Sequence, residues 1–234
     1  MLVLKRSNER GHFKNEWLNS NHTFSFGEYY DPKNMQFRDL RVINQDIVAG
    51  GTGFPTHGHR DMEIITYMLS GTLEHKDSMG NKAQIKPGEI QVMTAGTGVQ
   101  HSEYNPDKNV PAELLQIWIM PDKRGATPGY NQKMFSADDK KNSLVLIASG
   151  DGANDSMKIN QDVKLFAGAF YKNFSKAVEI KDGRGVWVQV AKGTLNVNKQ
   201  TLQAGDAIAI EKEASIRLEG VSTEPAEFLL FDLK

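Results

Sequence analysis

The chain has 234 residues, of which 39% are hydrophobic and 24% charged, and its 28 Lys and Arg balance 29 Asp and Glu to leave a net charge of −1. This length suits one large or two small globular domains, and the lack of a basic excess argues against direct binding of nucleic acid through phosphate contacts. The chain has no cysteine, so disulfides, thiolate nucleophiles and cysteine metal ligands are excluded, and any metal must be held by His, Asp, Glu or backbone oxygen.

The N-terminus carries only a short apolar run, Met1–Leu4, which is too short for a signal peptide. No apolar stretch approaches the roughly 20 residues that a membrane helix needs. We therefore expect a cytoplasmic protein that does not act at a membrane.

Short apolar runs separated by turn residues indicate strands rather than helices. Turns such as Pro87-Gly88 and Asp182-Gly183 stand between the runs, and only Ser136–Asn142 is compatible with a helix. Many short strands with frequent turns are typical of an all-β sandwich or barrel. In chain order, the clearest predicted strands are Ile64–Leu69, Ile90–Met93, Leu114–Met120, Leu144–Ile147, Val186–Val190 and Phe228–Phe231.

One pattern occurs twice along the chain. An apolar run leads into Gly71-Thr72-Leu73 and is followed by Gly88-Glu89, and a second run leads into Gly193-Thr194-Leu195 and is followed by Gly205-Asp206. The spacing between the glycines is 17 residues in the first copy and 12 in the second, a difference that a shorter hairpin explains. The repeat predicts two similar β-domains.

We assign the first domain to residues 1–125 and the second to residues 126–234. The segment 121–140, with its prolines, glycines and charges, is the predicted linker, and we count most of it with the second domain.

All six histidines lie within the first 101 residues. His57 and His59 are two residues apart, as are His101 and Glu103, and such pairs point to the same face of a strand. Two strands facing each other across a narrow barrel would bring three imidazoles and one carboxylate together. That donor set suits a divalent ion of Fe, Mn, Co, Ni, Cu or Zn, and four protein ligands leave open positions for reaction on an ion that takes five or six partners.

Each pair alone has a simpler interpretation. A His-x-His pair more often lies on the surface without binding a metal, and His101 with Glu103 could be a pH-sensitive surface pair. The two motifs together favour the metal site. The other histidines, His12, His22 and His75, are interpreted as structural or solvated, with His75 in an exposed hairpin.

The second half of the chain contains no histidine. We therefore expect the second domain to have no metal site and to serve a structural purpose, either covering the first barrel or building an interface. At the offsets of the repeat, the four ligand positions are occupied by Glu179, Lys181, Leu218 and Gly220.

These motifs resemble the two sequence motifs of the cupin superfamily. The residues that match the first motif are Gly51, His57, His59, Glu63 and Gly71. Those that match the second are Gly88, Gly96, His101 and Asn105. The sequence departs from the pattern at Thr94, which stands where the second motif has proline, and by one extra residue in the first motif and two in the second.

The first half more closely resembles the pirin family, and the second half resembles the C-terminal cupin of bacterial pirin-like quercetinases. The resemblance implies a bicupin fold, two β-barrel or jelly-roll domains in tandem, with one divalent transition metal in the first barrel. It favours Fe(II), with Mn, Ni, Co, Cu and Zn as alternatives. The stretches that carry it are Phe24–Gly27, Leu40–Asn44, His57–Glu63, Gly71–Ser78, His101–Asn105 and Leu115–Ile119.

Carried over to this sequence, the resemblance assigns His57, His59, His101 and Glu103 as metal ligands. In many cupins the glutamate of the first motif, here Glu63, is the carboxylate ligand, whereas in the pirin pattern that role belongs to Glu103. We therefore assign Glu63 to a supporting position next to the ligands.

The bacterial relatives imply a quercetin 2,3-dioxygenase, which opens the heterocycle of a flavonol with O₂ and releases carbon monoxide. Glu103 would accept the proton of the flavonol 3-hydroxyl as general base. Candidate walls of the substrate pocket, by strand alternation alone, are Phe24, Phe26, Ile65, Tyr67 and Met93.

Animal pirin suggests a different function, a non-enzymatic iron-binding redox sensor that regulates through protein partners. A purely structural metal is the third interpretation, and the unsaturated coordination argues against it. A monomer is favoured, because the two barrels can cover each other's faces.

Overall fold

The computed structural model describes residues 1–234, which form 22 β-strands, one short α-helix and two 3₁₀ turns. The strands of the first 134 residues are β1 (Leu2–Lys5), β2 (Gly11–Lys14), β3 (Leu18–His22), β4 (Leu40–Val48), β5 (Gly53–His59), β6 (Glu63–Ser70), β7 (Leu73–Asp77), β8 (Lys82–Ile85), β9 (Glu89–Thr94), β10 (Val99–Tyr104), β11 (Ala112–Ile119) and β12 (Gly129–Met134).

The rest of the chain begins with α1 (Ala137–Lys140), which lies inside the one stretch predicted to be compatible with a helix. None of the helices has the length and apolar character needed to span a membrane. The remaining strands are β13 (Leu144–Ser149), β14 (Met157–Lys158), β15 (Val163–Phe170), β16 (Ser175–Glu179), β17 (Gly185–Lys192), β18 (Thr194–Val197), β19 (Gln200–Gln203), β20 (Ala207–Glu211), β21 (Ser215–Gly220) and β22 (Ala226–Leu233).

The chain divides into two compact units. The N-terminal unit consists of Gly11–Met134 and Ile159–Gln161, and the C-terminal unit of Met1–Arg10, Phe135–Lys158 and Asp162–Lys234. The first strand, β1, therefore belongs to the C-terminal unit, where it pairs with β20. The predicted linker contains a strand of the N-terminal unit, β12, which pairs with β9. The predicted domain boundary at residues 125 and 126 stays a prediction.

Each unit has one sheet of seven strands and one of four. In the N-terminal unit the orders are β12-β9-β6-β11-β4-β3-β2 and β5-β10-β7-β8. In the C-terminal unit they are β1-β20-β17-β22-β15-β13-β14 and β16-β21-β18-β19. The two arrangements correspond except at one edge of the larger sheets, where β14 pairs in parallel with β13 and β2 pairs antiparallel with β3. The prediction of an all-β fold with two similar domains in tandem is confirmed.

The glycines that define the sequence repeat occupy the same turn in both units. Gly71 and Gly193 have φ values of +70° and +73°, a region that residues with a side chain rarely adopt. A Cβ at Gly71 would lie 2.6 Å from the carbonyl oxygen of Pro111, and one at Gly193 would lie 2.5 Å from that of Pro225. Both the backbone angle and the close approach therefore require glycine.

The inner faces of the two seven-stranded sheets differ in chemistry. In the N-terminal unit, paired strands place a row of buried polar side chains across the sheet, whereas the corresponding row of the C-terminal unit is apolar. The polar row is Gln91, Thr66, Gln116 and Asn44. The apolar row is Ile208, Val188, Leu230 and Phe166. Because one fold accommodates both rows, the polar residues are not needed to form it.

Candidate metal centre

Three histidines converge at one point in the N-terminal unit. Nε2 of His101 lies 3.0 Å from Nε2 of His59 and 3.1 Å from Nε2 of His57, and ligand atoms of all three lie within 4.8 Å of one another. His101 is directly opposite His57 in the pairing of β10 with β5. The two motifs thus lie on neighbouring strands of one sheet, and the prediction that they face each other across a barrel is wrong.

Contacts at the other ring nitrogens leave Nε2 available on two of these histidines. Nδ1 of His57 lies 2.8 Å from the carbonyl oxygen of Pro55, which can only accept, so this nitrogen carries the proton. Nδ1 of His101 lies 3.5 Å from Nδ1 of His75. A proton on Nδ1 leaves the lone pair of Nε2 free to bind a metal, the usual arrangement in protein metal sites.

Burial also keeps two of the imidazoles, those of His59 and His101, neutral at neutral pH. It lowers the pKa of His59 to about 4, with a further lowering by the charge of His57. It lowers the pKa of His101 to about 3, with smaller effects of the neighbouring imidazoles. Neutral imidazole is the form that binds metal, so no proton has to be displaced from these two rings at neutral pH.

The geometry fits a divalent transition ion. Two nitrogens that bind one ion at about 2.1 Å, at a right angle, are about 3.0 Å apart, which matches the separations of 3.0 and 3.1 Å in the cluster. Imidazole nitrogen suits Fe, Ni, Cu and Zn among the first-row ions. His57, His59 and His101 can therefore hold such an ion.

Glu103 lies on the cavity side of β10, two residues beyond His101, and its side chain is buried. Gln116 Nε2 donates to both carboxylate oxygens, at 3.2 and 3.1 Å, and Thr66 Oγ1 donates to Oε1 at 3.3 Å. Burial raises the pKa of Glu103, although the charge of His75 and these hydrogen bonds oppose the rise. Glu103 is not among the residues whose ligand atoms lie within 4.8 Å of one another, so its roles as ligand and base stay predictions.

Glu63 is placed elsewhere. Its carboxylate accepts hydrogen bonds from Thr94 Oγ1 at 2.8 Å and from Asn160 Nδ2 at 3.0 Å. The next residue, Ile64, lines the cavity, so Glu63 points to the opposite face of β6. The structure therefore does not bring Glu63 to the histidines, and its supporting role stays a prediction. The face on which Glu63 lies could not be predicted by counting alternate residues from His59, because the two residues are on different strands. The chain turns between these strands at Asp61, which has a φ of 50°.

His75 was predicted to be exposed, and this prediction is wrong. Its side chain is fully buried, with Nε2 2.9 Å from Asp77 Oδ2, and its ring stacks on Tyr130 at 4.7 Å between centroids. The signal was present in the sequence, because Leu73, His75 and Asp77 alternate with the charged Glu74 and Lys76, as in a strand with one buried face.

The other two histidines lie apart from the cluster. His12 Nε2 is 2.8 Å from Asn19 Oδ1 at an exposed position, as expected for a solvated histidine. His22 is buried and lines the cavity. Its ring packs edge-to-face with that of Phe26, with the ring centroids 5.3 Å apart.

The histidine cluster opens into a cavity of about 400 Å³. Apolar atoms form most of its surface, and the apolar side chains in its wall include Phe26, Phe54, Ile64 and Trp118. Trp118 packs edge-on against His59, with ring centroids 4.9 Å apart. A cavity of this size and character suits a small aromatic molecule.

Of the five predicted wall residues, Phe26 is confirmed. The other four do not line the cavity. For two of them, Ile65 and Tyr67, the reason is that side chains alternate between the two faces of β6. Ile64 lines the cavity and Thr66 bonds to Glu103, so Ile65 and Tyr67 point to the other face. The four are Phe24, Ile65, Tyr67 and Met93.

Comparison with known proteins agrees with this architecture. The family profile described as Pirin matches residues 3–119, and the profile described as the quercetinase C-terminal cupin domain matches residues 146–233. The chain is 48% identical over 233 residues to a quercetin 2,3-dioxygenase of Escherichia coli K12, an alignment that covers 100% of this chain and 99% of that protein. It is 37% identical over 234 residues to a pirin-like protein of Caulobacter vibrioides, with 99% of each chain covered.

The fold is also found in solved structures. The crystal structure of a bacterial pirin from Escherichia coli in complex with nickel(II) matches with a TM-score of 0.95 and 46% identity, covering 100% of this chain and 99% of that one. A divalent transition metal therefore binds a protein of this fold and similar sequence.

Proposed function

Because the chain belongs to the pirin family and has its bicupin fold, we propose that it is a metal-dependent dioxygenase. Its substrates are a flavonol such as quercetin and O₂, and the reaction opens the heterocycle to give a depside and carbon monoxide. The observation that carries the proposal is the convergence of three imidazoles and a buried carboxylate on one largely apolar cavity of about 400 Å³.

His57, His59 and His101 would hold the ion, with Glu103 as a fourth ligand. A bound divalent ion supplies Lewis acidity, which lowers the pKa of a hydroxyl that it contacts. The nickel(II) complex of the similar protein supports a divalent metal, and we propose Fe(II) as the native one, with Ni, Mn, Co, Cu and Zn as alternatives.

Glu103 would act as the general base. Its carboxylate takes the proton of the flavonol 3-hydroxyl, and the resulting flavonolate is electron-rich enough to react with O₂. Gln116 and Thr66 fix the carboxylate in one position, and the raised pKa of Glu103 makes it a better proton acceptor than an exposed carboxylate. The apolar wall excludes water from the reacting oxygens.

The alternative function, a redox sensor that acts on protein partners, needs the same histidines but not the cavity. The size and aromatic lining of the cavity favour the enzyme. The monomeric state and the cytoplasmic location stay predictions.

Oxygen consumption tests the proposal. Quercetin is added to protein loaded with Fe(II) or Ni(II), dissolved O₂ is followed, and released carbon monoxide is trapped on a reduced haem protein. We expect O₂ uptake with carbon monoxide in the wild type and neither in His101→Ala. His12→Ala is the matched control, since it removes an exposed histidine outside the cluster. No O₂ uptake by the wild type with either metal would contradict the proposed activity.

A further inference from the structure

A second carboxyl group lines the cavity. Asp46 lies on β4, is only 3% exposed, and is opposite Ser20 on one side and Leu114 on the other. Ser20 donates its hydroxyl proton to Oδ1 of Asp46. The hydrogen bond from Ser20 involves Oδ1, so Oδ2 is available as an acceptor in the wall of a cavity whose lining also includes the carboxyl residues Glu103 and Glu28.

This carboxyl is not the partner of a cation. No Lys or Arg lines the cavity, and burial raises the pKa of Asp46 to about 7, with a further rise from the charge of Glu103. A buried carboxyl with one satisfied oxygen is costly to the fold. A structural ion pair therefore does not explain its presence.

Other polar atoms in residues of the cavity wall also lack a hydrogen-bond partner. Asn44 Oδ1 and Gln116 Oε1 are buried without a hydrogen-bond partner, and so is Trp118 Nε1. All three residues line the same cavity, and Gln116 is directly opposite Asn44 in the pairing of β11 with β4. Such groups are rare in native structures unless a ligand or water completes them.

The C-terminal unit provides an internal comparison. There the register of β22 with β15 places Leu230 opposite Phe166, where the N-terminal unit has Gln116 opposite Asn44. Two apolar residues occupy these positions in the same fold. Folding therefore does not require polar residues there, and the polar residues of the N-terminal unit need another explanation.

We propose that Asp46 and Asn44 form a second polar anchor, which binds a phenolic hydroxyl other than the one that reacts at the histidine cluster. That hydroxyl donates to Oδ2 of Asp46, and the unpartnered Oδ1 of Asn44 accepts from an adjacent ring hydroxyl of the same ligand. The anchor fixes the orientation of the bound flavonol and selects flavonols that carry this hydroxyl. The identity of the ligand rests on the proposed function, whereas the anchor rests on the cavity itself.

Binding without turnover tests the anchor. Metal-loaded protein is titrated under nitrogen with quercetin and with flavonols that each lack one ring hydroxyl, and binding is followed by quenching of tryptophan fluorescence, because Trp118 lines the cavity. The variants are Asp46→Leu, which removes the acceptor, and Asp46→Asn, which preserves its shape. Ile47→Ala is the control, since Ile47 is the next residue on β4 and is 36% exposed on the other face. Melting temperature and metal content are measured for every variant.

At pH 8, above the pKa of Asp46, we expect removal of one particular hydroxyl to weaken binding to the wild type by about 10- to 100-fold, the effect of one hydrogen bond to a charged group. Asp46→Leu should weaken quercetin binding by a similar factor and should not weaken binding of the flavonol that lacks that hydroxyl. Asp46→Asn should retain part of the difference in affinity between quercetin and the flavonol that lacks that hydroxyl. Ile47→Ala should retain all of this difference.

Equal weakening of all flavonols by Asp46→Leu, or a wild type indifferent to every ring hydroxyl, overturns the anchor. The proposed function can fail separately from the anchor. If the wild type binds flavonols with a preference for one hydroxyl but takes up no O₂, the dioxygenase is refuted and the anchor is supported. If the wild type takes up O₂ but binds all the flavonols equally, the anchor is refuted and the dioxygenase is supported. A wild type that binds no flavonol overturns both proposals.

Discussion

The Nδ1 atoms of His75 and His101 lie 3.5 Å apart, and this contact links the proposed metal site to a buried carboxylate. On its other side, His75 Nε2 is 2.9 Å from Asp77 Oδ2. With a proton on His75 Nε2 donated to Asp77, His75 Nδ1 is free to accept from His101. The chain of contacts then fixes the tautomer in which His101 presents Nε2 to the cluster.

Replacing His75 should therefore weaken metal binding although it is not a ligand. His75→Phe keeps the stacking on Tyr130 but removes the acceptor for His101 Nδ1. We expect metal affinity to fall by about 10- to 100-fold, measured by competition with a chelator of known affinity. His12→Phe is the control. A lower melting temperature with unchanged metal affinity would show that His75 has only a structural role.

Metal should stabilise the folded protein through the three histidines. A ligand that binds only the native state at a hundred times its dissociation constant adds about 2.7 kcal/mol to the free energy of unfolding. We expect Ni(II) or Fe(II) to raise the melting temperature of the wild type by several degrees and to leave that of His101→Ala unchanged. An equal rise in both proteins would place the metal somewhere other than the histidine cluster.

Glu103→Gln should separate proton transfer from metal binding. The amide cannot take the proton of the flavonol hydroxyl, so we expect the turnover rate to fall by about 100-fold or more. Because the three imidazoles are unchanged, metal loss should be smaller than in His101→Ala. Turnover and bound metal are measured on the same samples. Metal loss equal to that of His101→Ala would argue against a separate role as base.

The sequence could predict those parts of the fold and site that depend on local periodicity. Strand positions follow from apolar runs, and the repeat follows from glycines that a turn requires, such as Gly71 and Gly193. The histidine cluster was predictable because His57 and His59 share a strand face and need only one partner strand.

Features that depend on pairing between distant strands were not predictable. Asp46 and Ser20 are 26 residues apart and meet only because β3 pairs with β4. Glu103 and Gln116 meet across two different sheets. A single sequence shows the face on which each residue lies within its strand but not the strand that comes to lie beside it.

The turn glycines of the repeat offer a test of the fold that is independent of function. Gly71→Ala forces both a positive φ and a contact of 2.6 Å with Pro111, whereas at Gly80, with φ of +92°, nothing lies within 4 Å of an added Cβ. We expect Gly71→Ala to lower the free energy of unfolding by about 1 to 3 kcal/mol more than Gly80→Ala. Gly193→Ala should behave like Gly71→Ala. Denaturant unfolding measures the differences, and equal losses at Gly71 and Gly80 would contradict the steric argument.

The buried carboxyl of Asp46 should make stability depend on pH in a way that Asp46→Asn removes. Burial and the charge of Glu103 raise its folded pKa from 3.8 to about 7, against the opposing hydrogen bond from Ser20. Between these two values the folded state binds more protons than the unfolded state, so this contribution to the free energy of unfolding falls as pH rises from about 4 to 7. We expect Asp46→Asn to be more stable relative to the wild type at pH 8 than at pH 5, measured on metal-free protein by denaturant unfolding. A difference between the two proteins that does not vary with pH would mean that Asp46 ionises at its ordinary pKa.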